Sequence, residues 1–311
     1  MVENPRLLCV GALTQDTIFR FDRLPSKPGK FLPIEAVQTA GGMAASAATA
    51  ARRQGAEVSL WASVGDDDVG QTLIEQMRLE GIDCSLVRQV QGGRSAIAAI
   101  LVEASGESLI VPFYDPKTHA APDRAPIDFT MFDAVLVDTR WPGAAAIALA
   151  EARRLGAPAI LDADVAPKHV LQSLLPLASH IIASYPASQL LFDDPVAARE
   201  AAERMRDLYG VFAAVTNGSE GTFLSAPDKS TIHVQAYDVD AVDTLAAGDV
   251  FHGAFAARFT ESGNEQDAIA FASAAAAIKC LRFGGRLGAP TRTETLKFIE
   301  ERAASPPKTS A

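Results

Sequence analysis

Short apolar runs alternate with longer small-residue or amphipathic stretches along most of the chain. Arg6 to Val10 is an apolar run that stops at Gly11, the pattern of a buried strand. Gly41-Gly42 opens a helix of small residues from Met43 to Gln54, closed by Gly55. Glu57 to Val64 reads as a strand, Gly65 to Gly70 as an acidic turn, and Gln71 to Glu80 as a helix closed by Gly81. This β-α-β-α order predicts a parallel sheet covered by helices. Residues 17–22 and 31–38, broken by Pro25, Pro28 and Gly29, read as exposed strands or loops rather than core. Ser95 to Val102 and Ser108 to Phe113, joined by Glu103-Ala104-Ser105-Gly106-Glu107, predict a hairpin that interrupts the alternation.

The alternation then resumes. Ala134 to Val137, Ala159 to Leu161, His180 to Ala183 and Phe212 to Thr216 read as strands, with helices between them, including Ala144 to Leu155 ended by Gly156. Thr222 to Ser225 and Thr231 to Val234 suit an antiparallel pair, and 250–260, 265–282 and 293–303 read as helices. The organisation expected is one α/β core (1–12, 41–93 and 117–303) with a small β lid from two insertions (13–40 and 94–116). Residues 304–311 are expected to be a disordered tail.

Composition narrows the function more by exclusion than by assignment. A chain of 311 residues with 48% hydrophobic and 21% charged residues is ordinary for a globular protein. Its net charge of −10 and the lack of a basic block argue against nucleic-acid partners. The three cysteines, Cys9, Cys84 and Cys280, form no C-x-x-C and read as buried free thiols. With no signal-peptide pattern and no apolar run near the ~18 residues that span a bilayer, a cytoplasmic protein without membrane partners is expected. There is no G-x-x-x-x-G-K-[ST], G-x-G-x-x-G, H-E-x-x-H or G-x-S-x-G.

The run Asp243-Thr244-Leu245-Ala246-Ala247-Gly248-Asp249, directly before an apolar helix, carries the chemistry. Small residues let backbone N–H groups converge on an anion, and a helix N-terminus adds its own unpaired donors. A carboxylate beside such a hole is a candidate general base, a combination suited to phosphoryl transfer. Phe251, Phe255 and Phe259, at i+4 spacing, would anchor that helix in the core.

This run resembles the D-T-x-[GA]-A-G-D signature of the PfkB/ribokinase family of carbohydrate kinases, and the likeness extends over nearly the whole chain. It implies a ribokinase-like three-layer α/β/α sandwich with a mainly parallel sheet and a β lid. It implies Asp249 as the base, with the N–H groups of Ala246, Ala247 and Gly248 as the anion hole. Asp16, Gly41, Gly42 and Ser46, the last in place of a frequent Asn, would line the sugar pocket. Thr216, Gly218 and Gly221 would contact ATP. Gly284 and Gly285 would lie where the family places adenine-pocket and monovalent-cation contacts, for an ion such as K⁺. The family's N-x-x-E, used in its Mg²⁺–phosphate network, is here Ser184-Tyr185-Pro186-Ala187, so Mg²⁺ would be held by ATP phosphates and waters, with no protein ligand assigned.

Several segments, among them Gly29-Lys30-Phe31, Asp138-Thr139-Arg140-Trp141, Leu161-Asp162-Ala163-Asp164 and Ile278-Lys279-Cys280, resemble most the bacterial 6-deoxy-6-sulfofructose kinases. Under that resemblance the acceptor is the C1 hydroxyl of an acidic ketose, and Lys30 and Arg140 are the candidate cations for its anionic group. The alternatives are a neutral-sugar kinase (fructokinase, ketohexokinase or ribokinase-like), a nucleoside kinase, and a sugar-binding protein without catalysis. An exposed lid sheet has edges that invite a lid-to-lid homodimer.

Overall fold

The structure, a computed structural model, describes residues 4–192, 195–228 and 230–304. From the N-terminus, β1 (Arg6–Gly11) is followed by β2 (Thr14–Phe21), β3 (Glu35–Gly41), α1 (Met43–Arg53), β4 (Glu57–Gly65), α2 (Asp68–Leu79) and β5 (Arg88–Val90). Then come β6 (Ala96–Glu103), β7 (Ser108–Phe113), the short α3 (Pro116–His119), β8 (Ala134–Val137), α4 (Pro142–Leu155), β9 (Ala159–Ala163), α5 (Lys168–Leu174) and β10 (His180–Ser184). The remainder holds α6 (Tyr185–Leu191), α7 (Ala198–Tyr209), β11 (Phe212–Thr216), β12 (Thr222–Ser225), β13 (Thr231–Val234), α8 (Ala247–Ser262), α9 (Glu265–Cys280) and α10 (Arg292–Ala304). Of the tail expected at 304–311, Ala304 closes α10 and the rest lies outside the described residues.

Nine strands form the main sheet in the order β13-β12-β11-β10-β9-β8-β1-β4-β5. All neighbours from β11 to β5 are parallel, and β12 and β13 add an antiparallel edge. The period of two along β1 divides the interior: Leu7 and Cys9 join a core with α1, α8 and α9, while Leu8 and Val10 join one with α4 and α7. Helices therefore cover both faces, as the continuous apolar strands require. The three phenylalanines of α8 are buried, and Phe255 stacks on Phe259. The alanines of α1 let α8 approach closely: a Cβ on Gly253 would lie 2.1 Å from the Ala47 carbonyl oxygen.

A second sheet, β3-β2-β6-β7, stands beside this sandwich. The predicted hairpin is its β6–β7 pair. The segments read as exposed are more ordered than expected. β2 pairs with β3 and with β6, and Ile18 is fully buried against Ile100, Leu245 and Phe283. Those partners lie far away in sequence, so no local pattern announces them. β5 was not expected either: its three residues carry no apolar period and are held by pairing with Ser63–Gly65. α2 begins earlier than expected because Asp67 caps it, accepting from the Gly70 N–H at 2.8 Å. Asp67 also binds Ser95, so the acidic turn is a structural joint.

Asp138, at the end of β8, joins the two sheets. Its buried carboxylate accepts the N–H groups of Ala12 at 2.8 Å, Ala44 at 3.0 Å and Arg140 at 2.8 Å. Ala44 is in the first turn of α1, and Ala12 is where the chain leaves β1 for the second sheet. Gly11 must be glycine here, because a Cβ would meet the Asp138 carboxylate at 2.1 Å. Asp138→Ala would strand three buried donors, with an expected loss of about 3 kcal/mol of unfolding free energy; urea denaturation of the variant beside the parent checks it.

Candidate active site

The site is built on the entrance to α8. Asp243 is fully buried, and its Oδ1 accepts from the Leu245 N–H at 2.8 Å. Its Oδ2 accepts from Gly284 at 2.9 Å and Gly285 at 3.1 Å. Thr244 reaches the other way, its hydroxyl donating to the Gly106 carbonyl at 2.6 Å in the β6–β7 turn. With both neighbours held, the chain turns sharply, and Ala246 adopts φ 61°, ψ 12°. That left-handed conformation costs an L-residue about 1–2 kcal/mol, which explains why related signatures tolerate glycine there. The Ala247 N–H is engaged by the Thr244 carbonyl at 3.1 Å. The N–H groups of Gly248 and Asp249, in the first turn of α8, have no intrahelical partner by position and add to its partial positive charge.

Two cavities flank this turn. One, of about 440 Å³, lies between the sheets, walled by Ala98, Ile100, Ile110 and Pro112 of the second sheet. Asp16, Gly42, Ser46, Arg140, Ala246 and Asp249 also line it. The other, of about 520 Å³, lies beyond the turn and includes Gly218, Gly221, Tyr237 and Ala247 in its lining. Thr216 and Gly248 line both, so the cavities meet at the helix entrance.

Four expected site residues lie elsewhere. Lys30 is exposed in the loop between β2 and β3 and lines neither cavity, because no pairing draws that loop inward. Gly284 and Gly285 line neither, their N–H groups being turned onto Asp243. Gly41 stands behind the wall, where a Cβ would lie 1.9 Å from Asp16 Oδ2; it makes room for that carboxylate.

Acidic groups dominate the first cavity. Burial pushes the Asp249 carboxyl well above the usual range, and Asp164, Asp138 and Asp16 push it further, against the pull of Arg140. Burial and the Asp249 charge do the same to Asp162. Burial raises Asp16 to about 6, opposed by hydrogen bonds from the Thr14 hydroxyl and the Gly42 N–H. Arg140 is already committed, donating to the Val165 carbonyl at 2.7 Å and to Asp164 at 3.2 Å. Ser184 donates to the other Asp164 oxygen at 2.9 Å. Under Asp249, the buried His252 places Nδ1 2.7 Å from the Gly248 carbonyl and 3.2 Å from Asp162. Sequence reading gave Asp162, Asp164 and His252 no role. A signal for the two aspartates existed: they stand at the carboxyl end of a parallel strand, where open α/β sheets bind ligands.

Comparison with known proteins places the chain in a family. The pfkB family of carbohydrate kinases matches residues 4–292. The chain belongs to that family. It is 30% identical to the ribokinase of Haemophilus influenzae over 94% of this chain and 98% of that one. It is 29% identical to an ATP-dependent ribose-1-phosphate kinase of Halopiger xanaduensis over 96% of this chain and 99% of that one. Among solved structures, a candidate ribokinase from Agrobacterium tumefaciens superposes with a TM-score of 0.94 at 43% identity, covering 97% of this chain and all of that one. The chain is thus a carbohydrate kinase with the ribokinase-like fold, a phosphotransferase for which ATP is the cosubstrate.

The residues present decide how far the family's ions fit. Among the described residues no three His, Cys, Asp or Glu side chains gather as a metal cage. Mg²⁺ fits as a passenger on the nucleotide phosphates with most of its shell water. A monovalent cation near Gly284-Gly285 does not fit, since the oxygens there already hold the Lys279 ammonium.

The raised Asp16 pKa sets a stability window. The unfolded carboxyl titrates near 3.8 and the folded one near 6, so in between the folded chain keeps a proton the unfolded one has lost. The contribution of this group is most favourable below about pH 4 and is lost as pH rises to about 6. Asp16→Asn should therefore gain stability relative to the parent across that window; urea midpoints at both ends check it.

Proposed function

We propose that this carbohydrate kinase is ribokinase-like, transferring the γ-phosphoryl group of ATP to a hydroxyl of a neutral sugar. The observation that carries the reading is the charge of the cavity between the sheets. Asp16, Asp162, Asp164 and Asp249 line it against one guanidinium, Arg140, which Asp164 and Val165 already engage. Carboxylates suit the hydroxyl groups of a neutral sugar as acceptors and repel an anionic one. The ribokinase name of the Haemophilus influenzae relative supports the same choice.

In this reading the sugar occupies the cavity under the second sheet, and ATP the cavity lined by Gly218 and Gly221, its γ-phosphate reaching Gly248. Asp249 takes the proton of the acceptor hydroxyl as that oxygen attacks the γ-phosphorus; the bond to the β-phosphate oxygen breaks and ADP leaves. The N–H groups at the entrance of α8 face the charge on the transferred group. When bound on the nucleotide phosphates, Mg²⁺ would offset their charge. The second sheet acts as a lid that keeps water from the phosphoryl group.

A second reading, an anionic acceptor such as ribose 1-phosphate or 6-deoxy-6-sulfofructose, draws on Arg140 in the cavity wall and on the Halopiger xanaduensis relative. ADP release across ribose, fructose, ribose 1-phosphate and 6-deoxy-6-sulfofructose separates the two. Ribose is expected to turn over best, with Asp249→Asn lowering kcat by about 10²–10⁴-fold. Because burial raises the Asp249 pKa, the rate should rise with pH along a limb above the ordinary carboxylate range. Preference for an anionic sugar, lost selectively in Arg140→Ala, would overturn the neutral-sugar assignment.

The outward face of the second sheet supports a homodimer. Leu109, Val111 and Phe113 of β7 and Ile97 of β6 are exposed together, on the face opposite the cavity-lining Ile110 and Pro112. Light scattering should give a dimer mass, and Val111→Glu should shift it toward the monomer.

A further inference from the structure

Lys279 has no catalytic part in the mechanism above, yet it is fully buried near the C-terminal end of α9. Its Nζ donates to the Asp243 carbonyl at 2.6 Å and to the Arg282 carbonyl at 3.4 Å, and lies 3.1 Å from Asp243 Oδ2. Burying an ammonium is costly unless it is paired and hydrogen-bonded, and here all the partners named are oxygens. Carbonyl and carboxylate oxygens converging on one positive charge are what a monovalent cation site also consists of. An ammonium is close to K⁺ in size and takes the same hard ligands.

The position matters as much as the ligands. Asp243 opens the run that ends in Asp249, and its carboxylate orders Leu245 on one side and Gly284 and Gly285 on the other. The charge on Lys279 therefore balances the group that shapes the entrance of α8. A second cation at these oxygens would sit in contact with the ammonium, in a medium where like charges repel strongly.

We infer that Lys279 is a tethered replacement for the monovalent cation the family resemblance places here, a positioning residue that makes this kinase independent of K⁺. The inference rests on the phosphoryl-transfer reading of the 243–249 turn, and its test keeps the two apart.

The parent is assayed for ADP release with ribose in choline chloride and in KCl at equal ionic strength, and its Tm is measured in both without substrate. The rates and the two Tm values should agree. Activation by about tenfold or more in KCl, or a Tm that climbs with KCl and not with choline, would show a bound ion and overturn the inference. The Tm arm reports ion binding even if ribose is not turned over, so a wrong acceptor does not mask the answer. Lys279→Ala, which vacates the oxygens, should lose most of its activity in choline and regain it with KCl or ammonium chloride. A merely structural lysine would give no such ion-selective rescue. A folded variant as active as the parent in choline, or one that neither ion restores, would also overturn the inference. If the variant does not fold, the parent comparison decides alone.

Discussion

One buried ion pair organises the entrance of α8. Asp243 and Lys279 share no surface with solvent, so their charges must be satisfied within the protein. The result is a knot of hydrogen bonds joining the entrance of α8, the end of α9 and the glycine pair after it. A pair of this kind contributes little to net stability compared with an apolar replacement, but removing one partner is costly. Its value lies in geometry: it holds Leu245 and Ala246 where the chain must turn sharply, and so aims the first turn of α8 between two cavities. The left-handed Ala246 persists only because both flanks are fixed.

The cavity under the second sheet is shaped by a different constraint. Burial and the charges of neighbouring carboxylates hold Asp249 and Asp162 well above the usual carboxylate range, with one committed guanidinium among them. Such a cluster is unfavourable for folding and suited to proton acceptance near neutral pH. The buried Asp138 and the alanine face of α1 supply the compensation: they lock the walls of the cavity, so the acids stay in place despite their repulsion.

What could be read from the residues follows from sequence distance. The strands and helices of the sandwich were legible because period and glycine punctuation are local properties, and the 243–249 run because its parts are consecutive. The role of Ile18 was hidden, since its burial depends on Leu245 and Phe283. Gly284 and Gly285 looked like a ligand loop, but their N–H groups belong to a carboxylate 41 and 42 residues upstream. Lys279 stood out in the sequence only as part of a segment of resemblance, in an alanine-rich helix where nothing nearby marks a buried charge. Lys30 stands apart for the opposite reason: a charge beside glycine and proline suits a site on paper, and here it is exposed outside both cavities.

The hydrogen bond from Thr244 to Gly106 ties the tip of the second sheet to the run that leads into α8. The tip of the β6–β7 hairpin hangs from the residue that begins the turn into α8. Any swing of the second sheet would strain this 2.6 Å bond, so the cover over one cavity and the backbone facing the other are tied together. Occupants of the two cavities would then be mechanically linked through these two residues, with no need for a relay across the core.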